Sequence, residues 1–102
     1  MTFINKTWNE ADIISHFVDE HLGVTASAED VAKWLNADVP EGYQITRATA
    51  HNWMNDIHAP GWHYIITYTM VYENNDPRHQ MAKEIWNRRV ADVNKHLQAV
   101  PA

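Results

Sequence analysis

At 102 residues without an internal repeat, 45% of them hydrophobic and five of them tryptophan, the chain has enough apolar material for one packed core and too much for a disordered segment. Its net charge of −5 with histidines neutral excludes a protein that coats nucleic acid by charge alone, and the lack of cysteine excludes a disulfide framework or a thiolate metal site. The amino end lacks the basic and apolar blocks of a secretory signal, and the longest apolar run, Trp62 to Tyr72, is broken by His63, Thr67 and Thr69 and reaches about half a membrane span, so a cytoplasmic protein with no membrane role is expected.

Residues 1–102 are expected to form a single all-α domain of about five helices. Asn9 is placed to cap a first helix in which Ile13, Ile14, Phe17, Val18 and Leu22 share one face, and Gly23 is placed to end it. Ser27 then precedes Glu29 and Asp30, an acidic first turn that suits the helix dipole; Val31, Ala32, Trp34 and Leu35 supply the inward side until Pro40 and Gly42 stop the pattern. Thr46 can cap a short third helix with Ala50, Trp53 and Met54 turned inward, ended by "IHAPG".

The segment "WHYIITYTMVYE" is ambiguous, because Tyr64, Ile66, Tyr68, Met70 and Tyr72 alternate as a strand would. A strand needs a partner, and the candidates "TFINKTW" and "GYQIT" are short. Following Pro60 and Gly61, a helix is preferred from the surrounding helices, with a strand over 62–72 as the alternative. Asp76 followed by Pro77 starts a long last helix, in which Ala82, Ile85, Trp86, Val90, Val93 and Leu97 make one apolar stripe.

The unit "EDVAKWLNADVPEGYQITRATAHNWMND" has a small residue, Ala32, in its first helix, an apolar residue and a hydroxyl cap, Ile45 and Thr46, before its second, and Ala50 and Trp53 three apart inside it. It resembles the helix-turn-helix of the phage lambda-type repressor and Cro family over about residues 28 to 60. Two features depart from that family: the turn "NADVPEGYQ" is long, and the exit "WMNDIHAP" lacks the glycine. The resemblance implies a sequence-specific DNA-binding regulator of repressor type, with a recognition helix over about 46–55 in the major groove of double-stranded DNA. Carried onto this chain, its base-reading positions are Thr46, Arg47, Ala48, His51, Asn52 and Asn55. The chemistry suits them: arginine pairs with guanine, asparagine with adenine, and Ala48 or the Thr49 methyl can touch a thymine methyl. Thr46, Lys33 and His58 are candidates for phosphate contacts.

Charge is uneven along the chain. Residues 1–40 hold seven acids against two bases, whereas residues 61–102 hold five bases, Arg78, Lys83, Arg88, Arg89 and Lys95, against four acids. An acidic front and a mildly basic back follow. The alternative function is therefore a non-enzymatic protein-binding module, a small phage-type inhibitor or nucleic-acid mimic, that uses the acidic first and second helices.

Other chemistry is sparse. His16 and His21 are five apart, as are His58 and His63, which is not the spacing that sets two metal ligands on one helix face. His16 and His21 are expected at the rim of the first helix, and His79 and His96 on the solvent face of the last. Three scattered glycines make no phosphate loop, and no nucleophile–base pair is visible, so neither enzyme activity, cofactor, metal nor small-molecule substrate is expected. The aromatic cluster Trp62, Tyr64, Tyr68, Tyr72 and Trp86 is expected to be mostly core, with a surplus that suits a homodimer contact within Trp62 to Leu97.

Overall fold

The computed structural model describes residues 7–98, and its helices begin where short polar side chains can stand in for missing backbone partners. Asn9 accepts from the Asp12 amide at 2.8 Å while the Asp12 carboxylate accepts from the Asn9 amide at 3.1 Å, and this reciprocal cap opens α1, Glu10–His21. Ser27 and Asp30 repeat the device, both at 3.1 Å, at the start of α2, Ala28–Asn36. The Thr46 hydroxyl accepts from the Thr49 amide at 3.2 Å and opens α3, Arg47–Met54. Then come α4, Trp62–Val71, and α5, Pro77–Gln98, which starts with the Arg78 amide bonded to the Asp76 carboxylate at 2.8 Å. Among the described residues the fold is all-helical, with five α-helices and one 3₁₀ turn, Glu41–Tyr43. Among the described residues no helix is long and apolar enough to cross a membrane.

The ambiguous segment is helical because its aromatic residues bury at helical spacing. Ile65, Tyr68 and Tyr72 are buried, whereas Ile66 and Met70, which strand alternation would put on the same face as Tyr68, are exposed. Its β-branched threonines fit by bonding back into the preceding turn, Thr67 to the His63 carbonyl at 2.6 Å and Thr69 to the Ile66 carbonyl at 2.8 Å. The proposed strand partner "GYQIT" is instead the end of the 3₁₀ turn and the cap of α3.

The core joins Ile13, Ile14, Phe17 and Val18 of α1 to Val31 and Leu35 of α2, Trp53 of α3, Ile65 and Tyr68 of α4, and Met81 and Ile85 of α5. Helix α3 lies against α1 and α2, and α4 pairs with α5 as an antiparallel hairpin in which Trp62 meets Trp86, ring centroids 5.3 Å apart. Burial of the α5 stripe stops there. Ala82 and Ile85 are buried and Trp86 packs on the core, but Val90, Val93 and Leu97, which continue the apolar stripe, are exposed. Helix α5 outlasts its partners, giving overall dimensions of 47 × 28 × 28 Å.

Candidate nucleic-acid interface

The long turn between α2 and α3 is held by side chains. The Asn36 amide group donates to the Ile45 carbonyl and accepts from the Ile45 amide, both at 2.8 Å, and Gln44 donates to the Val39 carbonyl at 2.9 Å. The C-terminal carbonyls of α2 are taken up from the other side of the molecule. Arg78 donates to Trp34 at 2.8 Å and the Tyr72 hydroxyl donates to Leu35 at 2.8 Å, with the guanidinium stacked 3.8 Å over the Tyr72 ring. The α2–turn–α3 unit is thus fixed at both ends of its connection, and Ala50 and Trp53 anchor α3 in the core.

That anchoring turns Thr46, Arg47, Ala48 and His51 outward, all exposed, with Thr49 and Asn52 half-buried beside them. Arg47, Ala48, His51 and Asn52 share a shallow groove with Ser27, Ala28 and Glu29 of the first turn of α2. The remaining sequence candidates fall elsewhere. Asn55 folds back as the C-cap of α3, its side-chain amide donating to the His51 carbonyl at 2.9 Å, which takes it out of the outward row. Lys33 faces Glu29 one turn earlier on α2 at 3.7 Å, an exposed pair of little energetic weight. His58 sits exposed in the exit loop, its amide bonded to the Asn52 carbonyl at 3.3 Å.

The missing glycine of the exit has a local replacement. Asp56 adopts the left-handed backbone, φ 58°, and the Ile57 amide reaches the Asn52 carbonyl at 2.9 Å, the long-range bond of a Schellman turn.

Electrostatics separate α3 from its neighbours. The first turns of α1 and α2 carry Glu10 and Asp12, and Glu29 and Asp30; that of α3 carries no acid and bears Arg47. The positive end of the α3 dipole is therefore not neutralised by its own sequence. The basic back expected from the sequence is mostly consumed inside the fold. Arg89 makes a two-pronged contact with Glu10 at 2.8 and 2.6 Å and also donates to the Pro60 carbonyl at 2.6 Å; Arg88 donates to the Trp8 carbonyl; Arg78 grips Asp76 at 2.9 and 2.7 Å. Among the described residues the exposed bases are Lys33, Arg47, Lys83 and Lys95, set against exposed Asp12, Asp19, Glu20, Glu29, Asp30, Asp38, Glu41, Asp56, Glu73 and Asp92.

The histidines are distributed rather than convergent. His16 is half-buried between the Trp8 and Phe17 rings, and His21 is exposed beside Trp34. His79 is not on the solvent face of α5 as expected: it is half-buried and donates from Nδ1 to the Tyr72 carbonyl at 2.9 Å. Among the described residues no three histidines or carboxylates gather as a metal would need. The chain matches no protein-family model, curated protein or solved structure.

Proposed function

We propose that this protein is a sequence-specific DNA-binding regulator of repressor type, with the outward face of α3 entering the major groove. The observation that carries this reading is the first turn of α3: a capped helix start without an acid, bearing Arg47, projecting from a rigidly braced helix pair. Backbone N–H groups at that start suit a phosphate, Arg47 offers donors to base edges from the same turn, and His51 and Asn52 offer them one turn further in. Lys33, tied to Glu29, and Asn55, spent as a cap, contribute little in this reading. With so few free cations, affinity depends on base edges more than on counterion release, and the slope of log affinity against log salt is about −3 to −5 for a pair of copies.

The preponderance of exposed acid favours one other reading, a module that offers α1 and α2 to a basic protein. Selection of bound sequences from a random duplex pool at low salt separates the two. Enrichment of a motif supports DNA reading; failure to enrich any motif overturns it in favour of the acidic surface.

A further inference from the structure

The long turn between α2 and α3 builds one wall of an open apolar groove. Its crest is the 3₁₀ turn, closed by the Tyr43 amide on the Pro40 carbonyl at 2.9 Å, and Pro40 and Tyr43 line the groove from that side. A helix-turn-helix connection of about three or four residues would have no room for this segment. The opposite wall is one side of α4, where His63, Ile66, Thr67 and Met70 recur at i, i+3, i+4 and i+7. The groove encloses about 400 Å³ and follows two turns of α4, roughly 12 Å. Met70 is 78%, Tyr43 50% and Ile66 40% exposed, so the apolar surface is contiguous and open to a partner. Asn36 and Gln44 fix the turn at its base, and the Asp38 amide donates to the Tyr72 hydroxyl at 3.3 Å, which ties the turn to the end of α4. The groove is therefore preformed, and none of its lining residues belongs to α1, α2 or α3.

The rim of this groove is acidic. Glu41 stands between Pro40 and Tyr43 in the 3₁₀ turn, and past Val71 the groove runs on to Asp38 and Glu73. All three carboxylates are exposed, and no lysine or arginine lines the groove or its continuation. Arg78, the nearest base beyond Asp76, is committed to Asp76 and to the Trp34 carbonyl. We propose that the groove docks a basic amphipathic helix of a partner protein, two turns of its apolar face lying along α4 and its lysines or arginines set against Glu41, Glu73 and Asp38. An apolar floor bordered by carboxylates selects this occupant: apolar residues at i, i+3 or i+4 and i+7 supply the affinity, while the charges fix orientation and reject acidic helices. Met70 suits the task, because a flexible thioether repacks around whichever apolar side chain enters. A second copy of this chain is a poor fit, since exposed acids outnumber exposed bases ten to four among the described residues and copies repel. An anionic bilayer is repelled by the same rim. So short a contact falls below about 1,200 Å², the range of a weak and reversible complex.

Selection of displayed random peptides of about 14 residues, long enough for four turns of helix, is expected to enrich sequences with that apolar spacing and with lysine or arginine beside it. An enriched peptide, made synthetically and labelled, is expected to bind the full chain in fluorescence anisotropy. Its affinity should fall at least about tenfold in Met70→Lys and stay within about twofold in Val24→Lys, the same charge change at an exposed apolar residue outside the groove. Joint replacement by Glu41→Gln and Glu73→Gln should weaken the peptide several-fold and flatten its dependence on salt. All four positions are exposed, so the melting temperature should match the parent in each variant. Failure to enrich any helical pattern, enrichment of patterns without basic residues, or binding that Met70→Lys weakens no more than Val24→Lys overturns the proposal. So does a Met70-dependent dimer in sedimentation of the chain alone, which would give the groove to a second copy. Met70-dependent binding to vesicles of phosphatidylcholine and phosphatidylglycerol overturns it in favour of lipid.

Discussion

The side-chain amide of Asn36 lies along the main chain of Ile45 as a neighbouring strand would, donating to its carbonyl and accepting from its amide, both at 2.8 Å. Ile45 is buried, so neither backbone group has easy access to water, and the Asn36 side chain supplies what a tight turn would have supplied by backbone bonds alone. Asn36→Ala is expected to destabilise the fold by about 2 to 3 kcal/mol, because two partly buried backbone groups lose their partner together. Asn36→Asp restores the acceptor but sets a carboxylate oxygen against the carbonyl, and is expected to fare no better. Denaturant titration checks both; a loss within about 0.5 kcal/mol for either would mean that the turn holds itself.

At the other end of α3, Asp56 occupies left-handed backbone that a side chain disfavours, with one exposed contact to Asn9 at 3.3 Å as its compensation. Asp56→Gly is expected to be neutral or to stabilise by up to about 1 kcal/mol, and Asp56→Val to destabilise by more than that, since a β-branched residue fits this region worst. Thermal melts of the two variants should move in opposite directions.

How far the fold could be read from the sequence follows the range of the interactions. The caps at Asn9, Ser27, Thr46 and Asp76 are local, and the sequence marks each of them; the inward residues of α1 to α3 follow from spacing. Arginine partners are different. Arg78, Arg88 and Arg89 count as free positive charge in a composition, yet they reach carbonyls or carboxylates of Trp34, Trp8, Glu10 and Pro60, which no local pattern connects to them. The same limit applies to Asn36, which reads only as the first residue of the long turn, and to Val90, Val93 and Leu97, whose spacing shows an apolar stripe without saying whether the chain itself covers it. At the candidate site, Arg47 and His51 stand outward as the helical period requires, while Asn55 was lost to capping, a competition between side chain and helix end that periodicity does not record.

Asp76 links stability to acid. Hydrogen bonds from the Arg78 side chain hold its carboxyl below the usual carboxylate range, against the opposing effect of partial burial. Because the folded-state value is depressed, the unfolded chain takes up the proton first as pH falls. The stabilisation is present at neutral pH and is lost below about pH 4, through the ordinary value towards the folded one. Asp76→Asn keeps a capping side chain and removes the charge, so its deficit relative to the parent should shrink between about pH 6 and pH 3. A constant deficit over that range would assign the effect to packing.

Tyr68 presents the opposite sign. Its ring is fully buried and its hydroxyl has no hydrogen-bond partner among the described residues, and burial first, then the neighbouring Tyr72 and Tyr64, push its ionisation upward. The unfolded chain loses this proton more readily, so the contribution is intact below about pH 10 and is lost as pH rises beyond it. Tyr68→Phe keeps the ring and removes the unsatisfied group. It is expected to be neutral or to stabilise by up to about 1 kcal/mol at pH 7, and to unfold at higher pH than the parent. A substantial loss of stability at neutral pH would reveal a partner for the hydroxyl within the core.

Arg47 and Trp53 separate reading from folding on α3. Arg47 is exposed in the first turn, and among the described residues no hydrogen bond or ion pair holds its side chain, so Arg47→Ala should leave the melting temperature nearly unchanged. If α3 enters the major groove, the substitution weakens specific binding by about 1 to 3 kcal/mol and relaxes preference at one base pair, because a bidentate donor to a base edge is gone. Trp53 is 4% exposed and packs edge-on against Tyr64 with ring centroids 5.2 Å apart. Truncating it leaves a cavity that costs about 3 to 5 kcal/mol, a large share of the stability of a domain this size. Binding by Trp53→Ala should then fall only in proportion to the unfolded fraction and return when the fold is restored by low temperature or osmolyte. The two variants thus give different signatures: intact fold with altered sequence preference for Arg47→Ala, lost fold with unaltered preference for Trp53→Ala. An Arg47→Ala protein that selects the same sequences with the parent's affinity would take Arg47, the one lysine or arginine on α3, out of the interface and would count against α3 as the reading helix.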